Sequence, residues 1–408
     1  MKMRVQIVSN LFSPDELAGA SLYTDLAQYL ADKGHDVRVT TTFSYYPAWK
    51  LVASDQGVKV RDDDVLGIPV RRIAMHVPAK PTGKGRLLSD LSFFWSLVRH
   101  GRYRNWRPEV VLTALPMLSQ CLAQRFMHGF RRIPKLIIVQ DFVVEAALEL
   151  GILKFPLASG LLHWIQRWAL RSAETLTTIS PLMLEKLNSQ IGTDRRLLMI
   201  PNWIHRSLQQ EIDIQAERVE ARSTLRLFYA GNLGIKQGLP DFLEQFRCAD
   251  NGSMGWQLDI FGGGGEVDKI KEAASKIPGV QFGTVLEEPK YVTSLLTTSA
   301  CLVTQRPGVG ANFLPSKLLP ALATATPVLA VCDRGSPLAE EVTDGGFGEV
   351  VEPGNAESLR SCLERWKNNP EILQHMSEKA KIRATKYHRD TVLLQYEDEL
   401  RRLKSLEK

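Results

Sequence analysis

The residues best placed to do chemistry are cations set inside glycine-rich loops. Leu227-Phe-Tyr-Ala-Gly-Asn-Leu-Gly-Ile-Lys-Gln-Gly-Leu239 runs from an apolar β-type stretch into a loop with Gly231, Gly234 and Gly238. Asn232, Lys236 and Gln237 lie within that loop, and a helical pattern follows at once. Such a strand-to-helix turn exposes N–H groups at the positive end of a helix dipole. The added lysine suits it to a diphosphate. A second turn of this kind is Gln305-Arg-Pro-Gly-Val-Gly-Ala-Asn-Phe-Leu-Pro-Ser-Lys-Leu318. Here Arg306 sits in the loop, and Ser316 with Lys317 is expected to open a helix, the serine as N-cap.

Three further stretches carry candidates. Asp259-Ile-Phe-Gly-Gly-Gly-Gly-Glu266 places Gly263 and Gly264 where a phosphate or ribose can approach the backbone. Its spacing is not G-x-G-x-x-G: counting from Gly262 and Gly264, the third glycine position is Val267, which disfavours a nicotinamide enzyme. Val139-Gln-Asp-Phe-Val-Val-Glu145 ends an apolar strand. Open α/β sheets put ligands at that edge. Asp141 there could take a sugar hydroxyl's hydrogen bond, act as a base, or simply cap a helix. In Pro14-Asp-Glu-Leu-Ala-Gly-Ala-Ser21, Gly19 would admit a ligand close to the main chain; the alternative is an ordinary βα loop. Asp62-Asp-Asp64 reads as a solvated loop before a strand, not a metal site. H-E-x-x-H and G-x-S-x-G motifs are absent.

The elements that must position these residues alternate from end to end. Short apolar strands are expected at Arg4–Ser9, Val37–Thr41, Glu109–Leu115, Lys135–Gln140, Thr175–Ile179 and Leu197–Ile200. The series restarts with Leu225–Ala230, Trp256–Phe261, Val280–Phe282, Cys301–Thr304, Pro327–Val331 and Glu349–Val351. Helix-length segments between them imply α/β architecture, with parallel sheets covered on both faces. At 408 residues the chain exceeds one core, so two doubly wound domains of about 200 residues are expected. We place the first at 1–205 and the second at 206–387, with a linker in the polar stretch 204–223. A terminal helix, about 388–408, is expected to pack back on the first domain.

Composition narrows the classes. The chain is 44% hydrophobic and 24% charged, ordinary for a soluble globular protein, with net charge +6. Five scattered cysteines form no C-x-x-C pair, which argues against a disulfide framework or a zinc site and for a reducing cytosol. No signal peptide or ~20-residue apolar span is evident. Lys84-Gly-Arg-Leu-Leu-Ser-Asp-Leu-Ser-Phe-Phe-Trp-Ser-Leu-Val-Arg99 combines bulky apolar residues with basic flanks. It suits either an anionic membrane interface or a core helix with a basic rim. The basic half carries no aromatic-basic recognition motif for nucleic acid.

Together these positions resemble the retaining nucleotide-sugar glycosyltransferases of family 4, which have the two-domain GT-B fold. The likeness is greatest to bacterial exopolysaccharide enzymes of the colanic-acid type. It rests on Ser13-Pro14, Gly19, Tyr23-Thr24, Gly34-His-Asp-Val37, Tyr45-Tyr-Pro47, Gln140-Asp141, Pro201-Asn-Trp203, Ala230 to Gly238 and Leu314-Pro-Ser-Lys317. The resemblance implies two Rossmann-like domains facing a central cleft. The first would bind the acceptor and the second a UDP- or GDP-linked sugar, with no other cofactor and no metal. Lys236, Arg306, Ser316 and Lys317 would hold the diphosphate, joined in donor binding by Gly19, Asn232, Gln237, Gly263 and Gly264. Asp141 and Lys236 would be the catalytic residues. The acceptor would be a lipid-linked or surface oligosaccharide, and the enzyme would lie peripherally on the cytoplasmic face of the inner membrane. The family's usual Glu-x7-Glu positions are Asn312 and Pro320 here, and the basic residue usual after the first loop glycine is Asn232, so ribose must be held differently. Two other readings remain open: a nucleotide-sugar epimerase on the same fold, and a non-catalytic scaffold for polysaccharide assembly.

Overall fold

The computed structural model describes residues 2–15, 18–45, 48–79, 83–115, 117–128, 132–142, 156–192, 194–218, 225–250, 252–310 and 314–406. The chain forms two compact α/β units, one of Met1–Asn202 with Asp390–Lys408 and one of Trp203–Arg389.

Among the described residues the first unit holds eight strands: β1 (Arg4–Val8), β2 (Asp36–Thr42), β3 (Val60–Val65), β4 (Ile68–Ile73), β5 (Val110–Ala114), β6 (Lys135–Val139), β7 (Thr175–Thr178) and β8 (Arg196–Met199). Their order is β3-β4-β2-β1-β5-β6-β7-β8. All neighbours pair parallel except β3 with β4. Val5, Ile7 and Val8 of β1 are wholly buried, as a strand covered on both faces requires.

The β3–β4 hairpin departs from the expectation of a solvated acidic loop. Asp62, Asp63 and Asp64 lie on β3, turned through Leu66 and Gly67 at positive φ. Asp62 receives two bonds of 2.7 Å from Arg71, Asp63 pairs with Arg61 and Arg72, and Asp64 accepts from the Gly67 N–H. The guanidinium of Arg71 holds the Asp62 carboxyl below its ordinary range. Asp62 and Asp63 are thus neutralised by arginines, and the triplet belongs to an edge strand, where charge deters further pairing.

The second unit holds six parallel strands: β9 (Arg226–Asn232), β10 (Gln257–Gly263), β11 (Val280–Gly283), β12 (Ala300–Thr304), β13 (Val328–Val331) and β14 (Gly348–Val351). Their order, β11-β10-β9-β12-β13-β14, is that of a doubly wound Rossmann sheet, reversing its winding between β9 and β12. The stretch expected as a linker carries the helix Arg206–Ala216 instead. Its Leu208 and Ile212, one turn apart, bury in the same cluster as Val292 and Leu295. The His205 ring caps it by accepting the Leu208 N–H at 3.2 Å.

The glycines at the end of β10 and just beyond it serve the fold first. A Cβ on Gly262 would lie 1.9 Å from the Gly231 carbonyl oxygen, and one on Gly264 would lie 2.5 Å from that of Leu233. The backbones leaving β9 and β10 therefore touch. Leu233 N–H donates to Gly263 O at 2.8 Å, and Glu266 N–H to Leu233 O at 2.9 Å. Gly263 has room for a methyl in ordinary contact with Val285, and Gly265 has open space.

The helix Arg389–Ser405 belongs to the first unit and is fixed by two buried carboxylates. Glu397 faces His35 Nε2 at 3.1 Å and accepts from the Tyr29 hydroxyl and from Arg401. Glu399 accepts from Thr175 Oγ1 at 2.6 Å, from Arg196 at 3.1 Å and from Arg402. Burial lowers the His35 pKa, so a neutral ring takes the Met3 N–H on Nδ1 and presents an N–H to Glu397.

Glu397→Ala strands the buried His35 and Tyr29 donors. It is expected to cost about 3 kcal/mol and to speed amide exchange across 389–405 in a hydrogen–deuterium exchange experiment. Gly262→Ala is expected to destabilise the second unit by at least about 3 kcal/mol, whereas Gly265→Ala changes stability by less than about 0.5 kcal/mol in thermal unfolding.

Candidate functional site

Ligands of a doubly wound sheet sit at the carboxyl ends of the strands where winding reverses. In the second unit that point lies between β9 and β12, and several of the expected residues meet there. The loop after β9 contains a short 3-10 turn, Ile235–Gln237, with Lys236 half-buried on it. The loop after β12 presents Arg306, which is exposed. The two loops are joined by the Arg306 N–H donating to the Lys236 carbonyl at 2.8 Å. Gly238, at φ +62°, permits this approach: a Cβ there would lie 3.2 Å from Arg306 Cα. Gln237 closes the turn on itself, its Oε1 accepting the Gly234 N–H at 3.2 Å. Asn232 is exposed at the end of β9, in register with Gly263 of β10.

Lys317 reaches back across the same point. Its Nζ lies 4.8 Å from the centre of the Tyr229 ring and 3.1 Å from where a Gly231 Cβ would be. Among the described residues no carboxylate is within ion-pair distance of that ammonium. Burial lowers its pKa to about 8, opposed by the nearby Cys301 thiol. Cys301, buried on β12, is itself pushed up to about 12 by burial. The Tyr229 hydroxyl donates to the Asn232 carbonyl at 2.7 Å. One tyrosine thus holds both the end of β9 and the lysine that faces it, through a cation–π contact.

Ser316 departs from its expected part. The helix runs Leu318–Ala323, Lys317 occupies the N-cap position, and no side chain caps it. The Pro315 and Ser316 carbonyls accept the Leu318 and Leu319 N–H groups in turns, which leaves Ser316 exposed one residue early. With six residues the helix has a weak dipole, so the positive character here comes chiefly from side chains. Pro320 stands in this helix, its carbonyl accepting the Thr324 N–H at 3.0 Å; Asn312 lies outside the described residues.

In the first unit the winding reverses between β1 and β5. Asn10, after β1, receives Gln120 Nε2 at 3.0 Å on its side chain and Thr42 Oγ1 at 2.8 Å on its carbonyl. Gln140, after β6, exchanges two amide bonds with Asn202, at 2.7 and 2.9 Å. The Tyr23 hydroxyl, raised well above its ordinary pKa by burial, also bonds Gln140. Asp141 follows, half-buried; Glu145 lies outside the described residues. Gly19 falls within the helix Ala18–Asp32, where a Cβ would make ordinary contacts of 3.6 and 3.7 Å with Leu11 and Tyr23. The protein's own packing therefore does not demand glycine there. Among the described residues no group of three or more His, Cys, Asp or Glu is gathered as a metal ion would need.

Tyr229, Cys301, Asn10 and Gln120 were not singled out by sequence reasoning. Tyr229 and Cys301 are buried in strands, where their residue types read as core, and Asn10 and Gln120 are by themselves an ordinary loop and helix residue. Only the pairing of β9 with β12, which sets Cys301 beside Phe228, reveals the first two as a lining for Lys317.

Two domain models match the chain: the glycosyl transferase 4-like domain over residues 19–203 and the glycosyl transferases group 1 domain over 211–383. WcaI of Escherichia coli (strain K12), assigned to colanic acid biosynthesis as a glycosyl transferase, is 27% identical over 88% of this chain and 90% of its own. Among solved structures, sucrose-phosphate synthase from Thermosynechococcus elongatus superposes with a TM-score of 0.75 at 15% identity, covering 99% of this chain and 100% of that one. Anabaena HepE in complex with UDP and glucose gives 0.66 at 14% identity, covering 98% and 99%. With both domain models in sequence on two Rossmann-like units, the chain belongs to the GT-B glycosyltransferases, family 4-like in its first domain and group 1 in its second.

Proposed function

We propose that this glycosyltransferase moves a sugar from a UDP- or GDP-linked donor to a lipid-linked or surface oligosaccharide of the exopolysaccharide type. The observation that carries this is Lys317, a desolvated ammonium with no carboxylate in ion-pair distance among the described residues, held over the switch point of the second sheet beside the Lys236 and Arg306 loops. A cluster of cations beside backbone at a strand switch point suits an anion. The likeness to WcaI supports the polysaccharide reading, and the UDP bound to HepE supports a nucleotide donor.

The chemistry follows from charge. Breaking the bond from the anomeric carbon to the β-phosphate oxygen leaves growing negative charge on that phosphate. Lys236, Arg306 and Lys317 stabilise it, and stabilisation that grows toward the transition state is what accelerates the step. In this reading the leaving phosphate takes the acceptor hydroxyl proton and the sugar keeps its anomeric configuration, so no protein nucleophile and no metal is required. The first unit binds the acceptor, with Asp141 orienting sugar or acceptor through hydrogen bonds. Asn232, Gln237, Gly263 and Gly264 border the donor, and Ser316, exposed at the turn, offers it a hydroxyl.

Calorimetric titration with UDP and GDP, with and without magnesium, tests the donor site. One nucleotide is expected to bind without metal, and Lys317→Ala to weaken it by about tenfold or more, as removal of a charge-assisted bond does. Lys236→Ala should act in the same direction. Binding of neither nucleotide to folded protein would sink the assignment and favour the scaffold reading.

The pH dependence has a defined sign. Below about pH 8 the free protein carries the Lys317 ammonium; above it the proton is lost. A bound diphosphate favours the ammonium, so affinity is expected to fall as pH rises past 8, by up to about tenfold for each further pH step. Lys317→Arg, charged throughout this range, should flatten the profile in the same titration.

A further inference from the structure

The helix Gly83–His100 shows solvent the side that an interior helix would hide. Its buried positions are Gly85, Ser89, Phe93 and Leu97, whereas Leu87, Leu88, Leu91 and Trp95 are each more than half exposed. A second helix of the same unit, Pro156–Leu170, repeats this pattern with Leu161 at 58% and Trp164 at 57% exposure. Phe126, 51% exposed, stands between them.

Aromatic contacts join these pieces into one surface. Phe94 meets Trp95 at 5.4 Å and Phe126 at 5.9 Å between ring centres. Arg125, next in chain to Phe126, stacks 4.6 Å over Trp168, and Trp168 lies parallel to Trp164 at 6.1 Å. A continuous apolar patch of this kind marks a docking surface.

Its charge identifies the occupant. Lys84, Arg86, Arg99, Arg125 and Arg167 are exposed on these segments. The acid in the first helix, Asp90, is turned inward to accept the Ser119 N–H, and its pKa is raised by burial. The second helix has no acid in its sequence, and Glu109 is the lone acid between Asp90 and Asp141, paired with Arg4 and Lys404. Leucine and tryptophan with a basic rim and, among the described residues of these two helices, no exposed carboxylate match the interface of an anionic bilayer, where indole rings settle at headgroup depth and arginines meet phosphates.

We infer that Gly83–His100 and Pro156–Leu170, bridged by Phe126, form a single platform that seats the first unit on an anionic lipid surface. The inference rests on the proposed reading that the acceptor is lipid-linked, and it adds a second helix to the basic segment legible in the sequence. Both helices are needed, because either alone offers only a few exposed apolar side chains.

The full chain is spun with vesicles of phosphatidylcholine alone and of equal parts phosphatidylcholine and phosphatidylglycerol, without donor or acceptor. Partitioning onto the anionic vesicles is expected to exceed that onto neutral ones by at least about tenfold and to fall as salt is raised. Trp95→Ser and Trp164→Ser should each weaken it, and the pair by about tenfold or more; Arg86→Glu with Arg99→Glu should abolish the preference for anionic lipid. Unchanged circular dichroism and nucleotide binding show that the variants fold. Sedimentation that ignores vesicles, or a Trp164→Ser variant that binds as the parent does, overturns the platform. So does a face that proves to hold two copies together, dissociated by the tryptophan changes without effect on vesicle binding. Protein that pellets yet transfers no sugar refutes the enzyme reading alone, and protein that transfers sugar to a detergent-dispersed acceptor yet does not pellet refutes the platform alone.

Discussion

The second unit is organised around a lysine kept where its charge is disfavoured. Lowering an ammonium from the ordinary lysine range to about 8 corresponds to about 3 kcal/mol of lost preference for the charged form. A structural lysine would escape to solvent or find a carboxylate. Lys317 does neither among the described residues; it lies over the face of Tyr229 and against Gly231. That position needs a strand end with no Cβ in the way, a ring fixed by its own hydroxyl, and a loop from β12 held close. Gly231, the Tyr229 bond to Asn232 and the Arg306–Lys236 backbone bond supply these. The glycines at the end of β10 and just beyond it then let β9 and β10 close up behind the site.

Much of this was legible in the sequence because parallel sheets write plainly. Strands covered on both faces must be continuously apolar, and all but two of the strands were found that way. The two that escaped, β3 and β4, form the antiparallel edge hairpin. Val60-Arg-Asp-Asp-Asp-Val65 carries charge where a strand usually carries β-branched residues, and its partners Arg71 and Arg72 become visible only once the hairpin is closed. The helix Arg206–Ala216 escaped for a related reason. It buries chiefly Leu208 and Ile212, and its cap is a histidine, so neither stripe nor cap was conspicuous.

The site was legible in its loops and illegible in its walls. Lys236 and Arg306 announce themselves because a cation amid glycines has no packing role to explain it. Tyr229 and Cys301 sit inside strands, where they look like core. Gln140 and Asn202 entered as separate pieces of a family likeness, and the fold makes them each other's partner across 62 positions of chain. Asn10 and Gln120 pair across 110. Long-range amide pairs leave no local pattern, since either member alone is an ordinary loop or helix residue. Ser316 shows the converse: a good cap residue in the right place is passed over when the preceding turns begin the helix one residue later.

The positions that depart from the family's usual pattern also bear on one another. Where the family resemblance implies a glutamate for the donor ribose, this chain has a helical proline, and where it implies a base after the first loop glycine it has Asn232. Removing a carboxylate and a cation together leaves the net charge of the site unchanged. With no carboxylate near Lys317 among the described residues, only the Tyr229 ring and the Cys301 thiol offset its desolvation. A carboxylate beside Lys317 would have raised the lysine's pKa and partly neutralised its charge. On the proposed donor reading, recognition would rest less on ribose hydroxyls and more on phosphate charge. On that reading donor affinity would depend most on Lys317, and Tyr229, under its ammonium, determines where that charge is presented.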